Sequence, residues 1–231
     1  MNDALRELLQ QIDTPTLCNA IEMAEGRRGF PNFTRAPVHA SDPGAGALVG
    51  RAVTARIRAS APPEEPAEAV RARRMAYYRL MAEAPRPAVA VIEDEDGAGA
   101  VGAFWGEINA TVHKGLGVAG TLTNGLMRDL GDLPEGFPIL AGGIGPSHAF
   151  VHVTALDVPV TVLGLEVVPG QLIHADQHGA VAVPEALIPT LPEAIDRLIP
   201  TERIILDAAR APGFDFAAFE RAWAEFEAAR T

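Results

Sequence analysis

The sequence predicts a mixed α/β fold, and three observations carry that reading. Between residues 52 and 183, short apolar runs alternate with loops and amphipathic stretches, the rhythm of strands interleaved with helices. Beyond residue 193 the pattern turns helical. A chain of 231 residues, 48% hydrophobic and 21% charged, can bury a substantial core and does not have the composition of a disordered segment. No internal repeat, low-complexity segment or interdomain linker stands out. One domain over residues 1–231 is therefore expected, with 193–231 as a helical C-terminal extension.

The elements follow in order. Leu5, Leu8, Leu9 and Ile12 recur at helical spacing, and Asp13-Thr14-Pro15 ends that helix. Thr14 as N-cap with Pro15 at the first helical position starts a second helix, whose apolar face is Leu17, Ala20, Ile21 and Ala24. Gly26 to Gly50 is loop-like, and Ala52–Ile57 reads as a strand. A helix over Glu68–Met81 presents Val70, Tyr77, Leu80 and Met81, and Pro85 and Pro87 end it before the strand Ala88–Ile92. An acidic, glycine-rich loop, Glu93 to Gly102, leads to a helix from Gly106 to His113 and then to the strand Val118–Thr123. Asn124 to Asp129 is a further loop, and strands are expected at Phe137–Ala141, Val160–Leu163 and Ala180–Val183. Two C-terminal helices close the chain, Ile195–Arg210 and one carrying Phe216, Phe219, Trp223 and Phe226 as a stripe, read as a buried face or a subunit contact.

Composition narrows the function. Nineteen basic against thirty acidic residues give a net charge of −11, the wrong field for nonspecific nucleic-acid binding. Nothing suggests a membrane protein. The single cysteine, Cys18, cannot form an internal disulfide, and the N-terminal stretch lacks the pattern of a signal peptide, so a cytoplasmic protein is expected. Only one basic residue, Lys114, is a lysine, and it fits a solvated helix end; Schiff-base chemistry, which needs a lysine amine, is disfavoured.

Two segments carry candidate chemistry. Phe104 to Ala110 and Thr123 to Asp129 both read as leaving the C-terminal ends of strands, where α/β sheets place ligands. A helix starting at Gly106 leaves the N–H groups of Glu107, Ile108 and Asn109 without intrahelical partners, able to hold an anion. Arg128 can grip a carboxylate with two parallel hydrogen bonds, while Asp129, pointing elsewhere in a turn, can hold Mg²⁺ or Mn²⁺. The plain alternative is a solvated Arg-Asp turn.

Trp105-Gly106-Glu107-Ile108-Asn109-Ala110, Gly117-Val118-Ala119-Gly120 and Gly125-Leu126-Met127-Arg128-Asp129 together resemble the signature of the RraA-like family. Thr14 to Ile21, Gly50 to Thr54 and Ala175 to Pro184 extend the likeness from about Thr14 to about Phe214. The resemblance implies a β/β/α swivelling-type fold with helical N- and C-terminal extensions, assembled as a homotrimer or homohexamer with sites at subunit interfaces. It also implies one of two activities. The first is a divalent-metal-dependent lyase, an aldolase or decarboxylase that releases pyruvate from a small 2-oxo acid such as 4-hydroxy-4-methyl-2-oxoglutarate or oxaloacetate. The second is a non-enzymatic regulator that binds a ribonuclease. On the lyase reading Arg128 binds the substrate's carboxylate and keto region, Asp129 holds the metal mainly through waters, and the amides near Ile108 and Asn109 take the remaining carboxylate oxygens. Glu107 stands in the metal's outer shell or is simply a first-turn helix acid. Glu202 either comes in from a neighbouring subunit or is a surface glutamate near a helix start.

The chain departs from the aldolase pattern in two places. The arginine and lysine usual after the Phe137–Ala141 strand are missing from Ala141 to His148, where His148 could serve for proton transfer. The usual Asp-Gly before Arg-Asp is Asn124-Gly125. His148 with His152, four apart, and the alternating His174, Asp176 and His178 have spacings that could serve a metal, though structural roles are the commoner outcome. The run Glu93 to Asp96 reads as a solvated loop. Gly97-Ala98-Gly99-Ala100-Val101-Gly102 matches a dinucleotide-binding spacing, which keeps an NAD-dependent enzyme as a minor alternative.

Overall fold

In the computed structural model, which describes residues 2–230, the chain folds into two compact units. Pro31–Glu185 with the segment through Thr14 forms one, and Pro15–Phe30 with the segment from Ala186 forms the other. The first unit begins with α1 (Asp3–Gln10), capped by the Asn2 side chain, which accepts from the Leu5 N–H at 2.9 Å. β1 (His39–Ala40), β2 (Leu48–Arg58), α3 (Ala67–Glu83) and β3 (Ala88–Asp94) come next, α2 belonging to the other unit. A 3₁₀ turn at Gly97–Gly99 leads to β4 (Ala103–Trp105), α4 (Glu107–Gly115), β5 (Val118–Thr123) and β6 (Leu126–Met127). β7 (Ile139–Ala141), β8 (Gly143–Ile144), β9 (His152–Leu156), β10 (Val160–Val162), β11 (Leu165–Val167), β12 (Leu172–Asp176) and β13 (Gly179–Val183) complete it.

The main sheet runs β1-β7-β5-β3-β2-β12-β13, with β9 added to β2. Its centre, β2-β3-β5-β7, is parallel and is joined through α3 and α4, while β1, β9, β12 and β13 pair antiparallel. β3 reads as an unbroken apolar run because both of its faces are covered. Ala88, Ala90 and Ile92 join Tyr77, Met81 and Trp105 in one core; Val89 and Val91 join Leu122, Leu140, Val162 and Ile173 in the other. β10 and β11 form a hairpin whose two turn residues, Leu163 and Gly164, have positive φ, the geometry of a tight two-residue connection.

β4, β6 and β8 make a second, three-stranded parallel sheet. Each of its strands is the continuation of a main-sheet strand, β3 into β4, β5 into β6 and β7 into β8, so neighbours in one sheet stay neighbours in the next. Sequence periodicity does not find these strands, because two or three residues are too few for alternation to register. β11, three residues long, is missed in the same way, whereas β9 and β12, five residues each, do not stand out because their sequences, His152 to Leu156 and Leu172 to Asp176, mix polar residues into the apolar run. β2 is longer than Ala52–Ile57, and its first residues emerge from a segment that reads as loop.

The second unit holds most of α2 (Thr14–Glu25), with α5 (Leu191–Arg210) and α6 (Phe216–Arg230). Leu17, Ala20 and Ile21 of α2 are buried, as their spacing requires. α2 begins at Thr14 itself; the Thr14 hydroxyl is not a cap but pairs with His174 Nδ1 at 3.1 Å. In α6 the aromatic stripe stacks along the helix, ring centroids 5.4–6.0 Å apart, yet Phe216 is 70% and Trp223 42% exposed, and Ala222 is the helix's buried residue. Among the described residues no helix is long and apolar enough to cross a membrane.

Candidate functional site

The site lies where the small sheet ends. β4 runs into Gly106, which caps α4 in an extended conformation, and β6 runs into Arg128-Asp129. The Arg128 N–H donates to the Trp105 carbonyl at 2.8 Å, extending the β4–β6 pairing so that Arg128 and Asp129 lie against Gly106. A Cβ at position 106 would sit 2.5 Å from Asp129 Oδ2 and 3.0 Å from Arg128 Nε, so any larger residue here would have to push the Asp129 carboxylate or the Arg128 side chain aside. Asp129 has a left-handed backbone, φ 58°, which aspartate tolerates better than most residues. Asp129 Oδ2 accepts from the Glu107 N–H at 3.1 Å and stands 3.6 Å from Arg128 Nε.

This geometry changes the expected division of labour. Asp129 turns toward its neighbour and takes up the first amide of α4, because that left-handed turn aims its carboxylate at the helix's positive end. The Ile108 and Asn109 N–H groups remain without a partner among the described residues. Arg128 Nε is buried and makes no hydrogen bond.

Arg128, Gly106, Ile108, Asn109 and His148 line one cavity of about 500 Å³, together with Arg74 and Tyr78 of α3. The wall behind it is fixed by a neutral hydrogen-bond network. The Tyr78 hydroxyl donates to Asn109 Oδ1 at 3.0 Å, and Asn109 Nδ2 donates to the Phe104 carbonyl at 2.9 Å. Burial pushes the Tyr78 pKa up, keeping it a donor. His113, fully buried, donates from Nδ1 to the Asn109 carbonyl at 2.7 Å, so its Nε2 accepts from the Tyr77 hydroxyl at 2.6 Å. Desolvation holds His113 down to about 4, which leaves it uncharged at neutral pH.

His148 donates from Nδ1 to the Ala149 carbonyl at 2.7 Å, which leaves Nε2 as its open ring nitrogen. Its own carbonyl faces Gly102, and Ala149 beside it also has a left-handed backbone, φ 45°. Glu107 and Ile108 are exposed in the first turn of α4, Ile108 by 77%. Glu202 belongs to the second unit, where its carboxylate accepts from Asn19 Nδ2 at 3.1 Å beside a separate cavity of about 720 Å³. Arg74 and Tyr78 were not expected here. Their four-residue spacing puts both on one helix face, but nothing in the sequence says which face meets the site.

The other candidates have structural work. His174 is buried between the Leu9 carbonyl and the Thr14 hydroxyl, and Asp176 accepts from the Thr14 N–H, the His178 N–H and the His178 ring. His152 lies on strand β9, not on a helix with His148. The Gly97 to Gly102 stretch forms a 3₁₀ turn leading into a strand, not the strand-to-helix turn that dinucleotide binding requires. Lys114 Nζ donates to the Glu135 carbonyl at the exposed end of α4, and Arg58 pairs with Glu95. Asn124, where the resemblance leads one to expect aspartate, makes a bidentate bridge to the Asp94 backbone, accepting from its N–H and donating to its carbonyl, both at 2.8 Å. A carboxylate there could not make the second bond.

Among the described residues no group of three or more His, Cys, Asp or Glu side chains gathers as a metal cage. Asp129 beside the Gly106 cradle offers a lone carboxylate. Such a donor set fits Mg²⁺ or Mn²⁺, which keep several waters and take one or two protein carboxylates plus substrate oxygens. It does not fit a metal that needs imidazole or thiolate.

A mixed sheet with a parallel centre feeding a small parallel sheet, with a glycine, an Arg-Asp pair and a helix start gathered at the ends of the smaller, defines an α/β protein of distinctive build. The chain belongs to the RraA-like family, whose Aldolase/RraA model matches residues 14–182. That family contains aldolase and decarboxylase enzymes as well as ribonuclease E inhibitors. A solved structure of a protein from Pseudomonas syringae pv. tomato superposes with TM-score 0.71 at 21% identity, covering 97% of this chain and 94% of that one. Streptomyces coelicolor RraAS2, described as an unusual member of the RNase ES inhibitor RraA protein family, superposes with TM-score 0.66 at 25% identity, covering 91% and 98%. The RNA-processing inhibitor RraA from Thermus thermophilis gives 0.50 at 24% identity, over 68% and 88%. No curated protein matches the sequence.

Proposed function

We propose that the protein is a divalent-metal-dependent carbon–carbon lyase that releases pyruvate from a small 2-oxo acid such as 4-hydroxy-4-methyl-2-oxoglutarate or oxaloacetate. The observation that carries this reading is the packing of Arg128 and Asp129 onto Gly106 at the start of α4, with Arg128 lining a cavity of about 500 Å³. Arg128 grips the carboxylate of the 2-oxo acid, and the Ile108 and Asn109 N–H groups take its remaining oxygens, aided by the positive end of the helix dipole. Asp129 is the metal-holding residue, with Glu107 in the outer shell; the bound cation supplies Lewis-acid stabilisation of the charge that develops as the bond beta to the ketone breaks. Open Nε2 of His148 takes the proton from the substrate hydroxyl in retro-aldol cleavage. Glu202 of a neighbouring copy completes the site in a homotrimer or homohexamer. This chemistry needs neither nucleic acid nor membrane and suits a cytoplasmic enzyme.

The test is pyruvate release from both substrates with Mg²⁺, with Mn²⁺ and with EDTA, against metal-only controls. Enzyme-dependent release abolished by EDTA is the expected result. The regulator reading is favoured by one observation, the absence of the arginine and lysine after β7. It predicts no release under any condition and metal-independent binding to a ribonuclease.

A further inference from the structure

We propose that Arg74 is a specificity-determining residue that grips a second, distal carboxylate of the ligand, so that the cavity selects 2-oxo dicarboxylates over 2-oxo monocarboxylates. This rests on the reading of that cavity as a 2-oxo acid site. Although the chain carries a net charge of −11, no aspartate or glutamate lines the cavity, whereas Arg74, Arg128, His148 and His152 do. Asp129 Oδ2 stands 3.6 Å from Arg128 Nε but does not line the cavity, so the space between the two guanidiniums is complementary to a dianion. Arg128 is committed to the end of the cavity where Gly106 and α4 begin, which leaves Arg74, on a different element, for a group further along the ligand.

Arg74 is also free for that task. Its helix neighbours three and four residues away are Val70, Arg71, Tyr77 and Tyr78, none of them acidic, so α3 offers it no ion pair. Adjacent Arg73, by contrast, is paired with Glu65 and donates to the Val153 carbonyl at 3.2 Å. Among the described residues Arg74 makes no hydrogen bond or ion pair, though its charge lies near enough to Tyr78 to act on that hydroxyl. Tyr78, one turn further along the same face, is tied to Asn109, which holds α3 against the wall that bears Arg128. The positive charges missing after β7 are thus matched by one arriving from α3.

The test is calorimetric titration of the full-length protein, in Mg²⁺, with two ligands that share the 2-oxo acid end: 2-oxoglutarate, with a distal carboxylate, and 2-oxobutyrate, without one. The wild type is expected to favour 2-oxoglutarate, and Arg74→Gln and Arg74→Ala to cut that preference about tenfold or more, the scale of a lost charge-assisted contact. Circular dichroism verifies folding, and the exposed position of Arg74 makes the Gln variant a safe second choice. An unchanged preference in both folded variants, or no preference in the wild type, overturns the assignment. If the preference falls as expected but no pyruvate is ever released, the lyase reading fails and the role of Arg74 stands.

Discussion

The parallel β3-β5-β7 part of the large sheet and the small sheet both end in three neighbouring strand termini, and the two ends are finished differently. At the large sheet, Asp94, Asn124 and Gly142 knit the ends shut. Asn124 bridges the Asp94 backbone, the Gly142 N–H donates to the Gly125 carbonyl at 3.0 Å, and a Cβ at Gly142 would collide with the Asn124 carbonyl. Asp94 is buried there with Oδ2 lacking a hydrogen bond. At the small sheet, Gly106, Arg128-Asp129 and the His148 loop leave polar groups uncommitted around a cavity. The contrast separates rigidity from reactivity: one end anchors the strands, and the next presents the chemistry a few residues later.

That contrast can be broken from either side. The largest effect is expected from Asp129→Asn, which tolerates the left-handed backbone and can still accept from Glu107 but loses the charge. Metal-dependent pyruvate release should fall at least about a hundredfold with little change in melting temperature. Activity at the wild-type level would remove Asp129 from the metal site. Gly106→Ala comes next, because its methyl group must displace the Asp129 carboxylate or Arg128; a loss of about a hundredfold in kcat/KM is expected, the scale set by an ångström of misplacement. Arg128→Lys should raise KM for 2-oxo acids about tenfold as the bidentate grip is lost, and an unchanged KM would count against the carboxylate role.

The smallest effect probes the closed end. Burial pushes Asp94 from 3.8 up to about 6, so the folded state holds its proton more tightly than the unfolded chain does. Stability is therefore lost as pH rises from the unfolded value through the folded one, and the cost of the buried charge is fully present above that window. Asp94→Asn should melt a few degrees higher than wild type at pH 8, with the gap closing by about pH 4. Equal melting temperatures at both pH values would show that Asp94 folds in its charged form without penalty.

The sequence exposed the longer helices and the unbroken apolar strands, but not the five-residue β9 and β12, whose runs are interrupted by polar residues. Val118–Thr123 has the bounds its apolar run suggests, β3 starts where expected and runs two residues further, and α3 and α4 differ from their expected bounds by one or two residues at each end. It was silent on β4, β6 and β8, whose two or three residues owe their conformation to the strands that precede them. At the site, a glycine at a helix start suggests room for a ligand, whereas the Asp129 carboxylate and the Arg128 side chain occupy the space at Gly106. The grouping of Gly106 with Arg128-Asp129 was legible, because both segments read as leaving strand ends and carry one family signature. The contact between Asp129 and the Glu107 amide was not, because it depends on one left-handed residue that aspartate permits but does not demand. Arg74 was hidden for another reason: an arginine on an amphipathic helix looks solvated until the helix's orientation is known.

The handover between sheets also governs where this architecture can change length. Only Asn124 and Gly125 separate β5 from β6, and only Gly142 separates β7 from β8, whereas residues 95–102 lie between β3 and β4. One extra residue in either short link would reverse which side chains face the site, since strand side chains alternate with a period of two. The longer link is pinned at its ends, where Asp96 accepts from the Ala59 and Ser60 N–H groups and the Ser60 hydroxyl and where Gly102 packs against Ala59. Diversity in loop length among relatives, or a grafted segment that gives this scaffold a new lid, therefore belongs between those anchors, from Gly97 to Val101.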